Sequence, residues 1–184
     1  MKKILKQVVF ALLCIGILFS LCSCGLVDGH KQFFADGIEI TTLTSTQEKE
    51  FLASGSFSFA KLDDVIFVPT MQDRGEEYSI WITCLSEYDN GKILINNMTL
   101  KSAGNVIFDR ELDREILLEK GEHTLYSGQI REAIVKEEIE IPIEHNTELE
   151  LTINVSVIKN DETLSTTITY NIVVKIRKEL LWPT

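Results

Sequence analysis

The chain is poor in most of the residues from which chemistry is usually read. Its 184 residues include three histidines, three prolines, two tryptophans and four cysteines. His30, His123 and His145 are far apart, and no pair has the i, i+2 or i, i+4 spacing of a local metal site. They read as surface or turn residues, and no metal or cofactor is expected. There is no G-x-S-x-G nucleophile frame. The nearest stretch, "ASGSFSF" from Ala53 to Phe59, reads as a glycine bend into a strand with Phe57 and Phe59 facing inward. There is no D-x-D-x-D-G calcium loop. Positive charge is scarce: 18 Lys and Arg against 28 Asp and Glu give a net charge of −10. Such a surface repels nucleic acid, and no nucleic-acid partner is expected. Low-complexity segments and internal repeats are missing too, and no long apolar run follows Phe19.

The one long apolar run lies at the start. Lys2, Lys3 and Lys6 precede "VVFALLCIGILF" from Val8 to Phe19. A membrane-spanning helix needs about 20 apolar residues, so this run is short. A charged start, a short apolar core and small residues after it describe an export signal. The run ends in Leu21-Cys22-Ser23-Cys24. These four residues resemble the lipobox of bacterial lipoproteins, with Cys22 at −2 where Ala or Thr is more usual.

The resemblance covers about the first 24 residues. It implies a diacylglycerol thioether on Cys24, cleavage before it and acylation of the new amine. Several acyl chains on one residue hold firmly, because each buried CH₂ contributes about 0.8 kcal/mol. The membrane would then be a partner through the lipid on Cys24, with the protein on the cell membrane or outer membrane, facing the periplasm or exterior. Removing the first 23 residues takes away three lysines and no acid, so the net charge moves from −10 to −13. Cys14 and Cys22 leave with the signal. Cys84 alone stays beside the lipidated Cys24, and no intramolecular disulfide is expected. Cys84 sits in "YSIWITCLS" and reads as a small buried hydrophobe.

The rest is patterned for strands. From Glu148, Leu149, Leu151, Ile153, Val155 and Val157 alternate with polar residues; from Leu164, Thr166, Ile168, Tyr170, Ile172, Val174 and Ile176 do the same. A period of two marks a strand with one buried face. A two-residue turn at Asn160-Asp161 pairs Val157 with Leu164, Ile153 with Ile168 and Leu149 with Ile172, keeping the two apolar sets on one face. A second hairpin is expected at Asn90-Gly91, pairing Trp81 with Leu100, Thr83 with Met98 and Tyr88 with Ile93. Ser102 to Asn105 suggests a further turn. Strands are also expected at 37–43, 56–60, 65–69, 123–126 and 137–144, the last an edge strand because Pro142 cannot donate. The glutamates of 137–144 would be its wet side. Ser45 and Glu48 have capping-box spacing for two helical turns. The stretch 109–121 reads as a short helix or a strand.

This organisation predicts an all-β, immunoglobulin-like antiparallel β-sandwich with one or two short helical turns. The divisions are a signal peptide over 1–23, a lipidated cysteine and tether over 24–36, and one sandwich domain over 37–184. The resemblance to immunoglobulin-like domains is architectural and implies no activity. The leading functional expectation is a tethered protein-binding or structural envelope module. Alternatives are an envelope or extracellular enzyme, and an inhibitor or immunity-type lipoprotein with an exposed loop at 70–77 or 111–120. Asn97 and Asn154 match the glycosylation pattern by chance in such a setting. The apolar tail with Trp182 is expected to pack back on the domain.

Overall fold

The computed structural model describes residues 26–42, 46–47, 50, 60–89, 91–120, 125–139 and 141–180, with side chains between 29 and 177. The chain divides into two compact units, one of Met1–His30 with Ile176–Thr184 and one of Lys31–Lys175. In the first, the described residues are strand ends. The second carries the sandwich.

The strands are β1 (Leu26–Ala35), β2 (Ile38–Glu39), β3 (Lys61–Leu62), β4 (Val65–Asp73), β5 (Glu77–Ser86), β6 (Lys92–Ser102), β7 (Asn105–Leu117), β8 (Glu119–Lys120), β9 (Tyr126–Val135), β10 (Glu148–Lys159) and β11 (Glu162–Leu180). A 3₁₀ turn, Lys136–Glu138, follows β9. Six strands form one sheet in the order β2-β1-β11-β10-β6-β7, and five form the other in the order β3-β4-β5-β9-β8. Within these orders β4-β5-β9-β8 reads as A-B-E-D and β11-β10-β6-β7 as G-F-C-C′, the arrangement of an immunoglobulin-like sandwich. The antibody-type disulfide joins strands B and F. Here the B strand, β5, carries Cys84, buried and free, while the F strand, β10, faces the core with Leu149, Leu151, Ile153, Val155 and Val157.

The C-terminal hairpin has the register its alternation dictates: Val157 opposite Leu164, Ile153 opposite Ile168, Leu149 opposite Ile172. Asn160 and Asp161 take φ of 51° and 64°, as a two-residue primed turn requires. Ala103 and Gly104 repeat this between β6 and β7, with φ of 48° and 80°. The sheets meet over a common aliphatic core. Within it the Tyr170 hydroxyl of β11 donates to the Phe67 carbonyl of β4 at 2.6 Å.

Other expectations need correction. Asn90-Gly91 joins no hairpin. β5 pairs with β4 and β9, and β6 pairs with β10 and β7, so the connection crosses between sheets. Trp81 lies opposite Arg131, not Leu100, and Met98 lies opposite Ile153 and Arg110, not Thr83. Gly91 still meets a backbone demand: its φ is +72°, and a Cβ there would stand 2.7 Å from the Ile158 carbonyl. Among the described residues of 137–144, none lies in a strand. They form the 3₁₀ turn and then irregular chain, with Ile143 buried and the following turn fastened to β11 by Asn146 N–H to Val174 O at 2.7 Å. Glu137, Glu138 and Glu144 are therefore not the wet side of a strand.

The stretch 109–120 is strand, in β7 and then β8, except for Leu118 between them. Of the two stretches named as candidate exposed loops, 70–77 comprises the ends of β4 and β5 around a turn at 74–76, and 111–120 lies in β7 and β8 except for Leu118. β1 occupies 26–35, where a tether was expected. Phe33 and Ala35 are buried, an alternation too short to stand out in sequence. The strands expected at 56–60 and 123–126, and the capping-box pair Ser45 and Glu48, lie wholly or largely outside the described residues.

Candidate binding surface

Two aromatic side chains of β5 gather cations at the β4–β5 turn. Of the six cation–π contacts among the described residues, four are here: Lys31 and Lys136 over Tyr78 at 5.1 and 4.7 Å, and Arg74 and Arg131 over Trp81 at 4.8 and 5.5 Å. The strand period separates the two groups. Tyr78 and Trp81 are three positions apart and face opposite sides of the sheet. Tyr78 is buried and lies opposite Asp73; half-buried Trp81 lies opposite Thr70 on β4 and Arg131 on β9.

On the core side, Asp73 holds Lys31 at 3.2 Å and also bonds Lys136, while Lys31 donates to the Tyr78 hydroxyl at 2.7 Å. Burial alone would raise the Asp73 carboxyl, but the hydrogen bonds from Lys136 and Lys31 outweigh it and hold it below the usual carboxylate range. Burial likewise opposes the charge on Lys31, yet Tyr78 and Asp73 leave its ammonium above its ordinary value.

On the outer side, Arg131 pairs with Glu77 and donates to Ser79 Oγ at 2.9 Å, and Ser79 bonds Glu77 at 2.8 Å. Arg74 differs. Its Nε and Nη2 donate to the Gln72 side-chain oxygen at 3.3 and 3.2 Å, and Gln72 is itself anchored to the Thr41 carbonyl at 2.9 Å. No carboxylate pairs with Arg74 among the described residues. The exposed turn thus presents a guanidinium held over an indole, with no carboxylate partner among the described residues. Thr70 Oγ1, opposite Trp81 and buried, has no hydrogen-bond partner among the described residues.

A second ionic cluster ties the sheets. Glu132 of β9 is 2% exposed and lies 2.8 Å from both Arg110 and Arg114 of β7. Arg110 donates a well-formed hydrogen bond. Arg114 stands off the hydrogen-bonding direction of its carboxylate oxygen and donates instead to the Arg131 carbonyl at 3.3 Å. That bond caps a backbone carbonyl of β9. Just beyond, β7 passes so close that a Cβ on Gly128 would stand 2.8 Å from the Leu117 carbonyl.

The outer face of the six-stranded sheet is a ladder of hydroxyls and amides. Thr152 meets Thr169 at 3.3 Å, Thr167 donates to Asn154 at 2.7 Å, and Ser156 meets Ser165 at 2.9 Å. Asn97 and Asn154, the two glycosylation-pattern asparagines, are tied into it. Asn97 and then Thr99 bond the Asp109 carboxyl and lower its pKa.

Sequence reasoning placed Cys84 correctly: it is fully buried, and desolvation pushes its thiol far up. Burial, followed by the nearby Cys84 and Asp36, also pushes the Tyr170 phenol up. Cys24, His123, Phe57, Phe59 and Trp182 lie outside the described residues. His30 and His145 are exposed, and no group of three His, Cys, Asp or Glu among the described residues is placed to hold a metal ion. The Trp81 cluster was missed. Its signal was present as a tryptophan and a tyrosine in one apolar run and two arginines outside it, but only the correct β5–β9 register makes Arg131 a neighbour of Trp81. Comparison with protein-family models, with curated proteins and with solved structures found no match.

Proposed function

We propose that the mature protein is a lipid-anchored extracytoplasmic binding module. Cys24 carries the lipid, and the immunoglobulin-like sandwich engages another envelope protein or a cell-wall component from the membrane surface, on the periplasmic or external side. The observation that carries this reading is Leu21-Cys22-Ser23-Cys24 directly after a three-lysine start and a short apolar core. The test is metabolic labelling with a tagged fatty acid in a bacterial host. The wild-type protein should take up label and Cys24→Ser should not, leaving an uncleaved precursor or soluble protein. Label retained by Cys24→Ser would end the proposal.

A further inference from the structure

We propose that the free edge of β7 is the docking surface of this module, and that it takes an extended basic segment of a protein partner as an added strand. The inference rests on the binding reading above and names the surface and the partner chemistry.

The four sheet edges are not alike. Three end in β2, β3 and β8, of two residues each, whereas the fourth is β7, of 13. Short edge strands keep an edge from pairing; a long exposed one offers an unfilled row of backbone N–H and C=O groups. β7 pairs with β6 on one side, and nine of its 13 residues are exposed. Register shifts beside Ile107 and at Leu112 and Asp113 divide it into regular runs at 108–111 and 114–117. The second turns towards β9, where Arg114 bonds the Arg131 carbonyl. In the first, no backbone bond arrives from any strand but β6 among the described residues.

Charge selects the strand. β7 holds Asp109, Glu111, Asp113 and Glu115 against Arg110 and Arg114, a net of −2. Both arginines face the buried Glu132 on the core side, each at 2.8 Å. On the outer side Asp109 lies opposite Thr99 and Glu111 opposite Asn97; Glu115 alone has a lysine, Lys92 at 3.0 Å, among the described residues. Opposite charges on neighbouring strands attract, and like charges repel. A second copy adding about a two-fold axis would set these acids against themselves. A strand with basic residues at alternate positions would set them against Asp109 and Glu111. In strand addition the main-chain bonds supply affinity and the alternate side chains supply specificity.

The test is calorimetric titration of the full-length protein in detergent micelles, at low salt, with a peptide of about eight residues alternating lysine and threonine, long enough to span the open run. Saturable binding is expected, with slower amide hydrogen exchange along 108–111 in the complex. The same peptide N-methylated at every residue keeps the charge and loses the ladder, and should bind at least about tenfold more weakly. Glu111→Lys should also weaken binding about tenfold, because attraction becomes repulsion. It should melt at the wild-type temperature, since Glu111 is exposed. Undetectable binding to the wild type, equal binding of the methylated peptide, unchanged binding to Glu111→Lys or unaltered exchange along 108–111 would each overturn the proposal. So would protection of 108–111 that grows with protein concentration and not with peptide, the sign of a second copy. Fatty-acid labelling of Cys24 is read separately, so failure here leaves the anchor intact.

Discussion

On β10, Ile153 is fully buried and its neighbour Thr152 is partly exposed; on β5, Ile82 and its neighbour Thr83 are both buried. The two strands belong to opposite sheets of one sandwich, and their environments differ in kind. The six-stranded sheet has one dry face and one wet face along β10 and β11. In the five-stranded sheet every residue from Val65 to Met71 of β4 is buried, and so is all of β5 except Glu77 and Trp81. A strand with one wet face writes its orientation into the sequence; a strand buried on both faces does not.

The sharpest way to break this comparison is a carboxylate scan at the four positions. Ile153→Asp should unfold the domain, since burying an unpaired carboxylate costs several kcal/mol, comparable with total stability. Thr152→Asp should shift stability by about half a kcal/mol or less. On β5, Ile82→Asp and Thr83→Asp should both be severe. Thr83 is 4% exposed, and Gln129 offers its side chain a single N–H at 2.9 Å. Urea midpoints decide. A tolerated Thr83→Asp would mean the second face of β5 is wet after all, and equal midpoints for the β10 pair would mean its alternation carries no burial.

The same difference explains what was legible in the sequence. The β10–β11 register followed from polarity alone, because a slip by one residue would have placed every isoleucine in water. The all-β class and the sandwich followed from the number of such strands. The partners of β5 did not. With both faces apolar, any register looked acceptable, and Asn90-Gly91 supplied a strong hairpin signal for a connection that changes sheets. The candidate surface failed to appear for the same reason, since Trp81 meets Arg131 only across the β5–β9 ladder. Turn chemistry was readable where it set φ at Asn160, Asp161 and Gly104.

A smaller effect probes how the two sheets are held together. Glu132 sits in the five-stranded sheet, and both its arginines belong to the other. Glu132→Gln keeps the shape and removes the charge. It should cost about 1–3 kcal/mol, the range for losing hydrogen bonds to a charged group. The arginines are 45% and 52% exposed, so water takes over part of their solvation and keeps the loss below that of a fully buried pair. A urea midpoint equal to wild type would show that the contact joins the sheets without stabilising them. Smaller again is Cys84→Ala, which leaves a cavity of little more than one sulfur and should cost about 1 kcal/mol. Its other readout is labelling by an aromatic disulfide reagent. Wild type should show one thiol that reacts only in denaturant and is missing from Cys84→Ala. Rapid reaction of that thiol in the native protein would place Cys84 at the surface.

The smallest expected effect belongs to Asp73, at the turn where the five-stranded sheet meets its cations. Its carboxyl is lowered in the folded protein, against the pull of burial, by Lys136 and Lys31 and by the Gly75 N–H. In the unfolded chain it titrates near the ordinary aspartate value of about 3.9. Between the folded and unfolded values the unfolded chain binds more protons, so stability rises with pH there. The contribution of Asp73 is therefore complete above about pH 5 and drains away as the pH falls through 3.9 and towards the folded value. Asp73→Asn should lower the urea midpoint slightly at pH 7, and the gap between variant and wild type should narrow as the pH falls below about 4. Lys31, raised above its ordinary value, stays charged throughout that range, so the narrowing gap reports the carboxyl. High salt should shrink the gap at pH 7 by moving the folded value towards the unfolded one, because the pair is partly open to solvent. A gap that stays constant from pH 7 to 3 would show that Asp73 acts through its hydrogen bonds and shape, and that its charge contributes nothing to the fold.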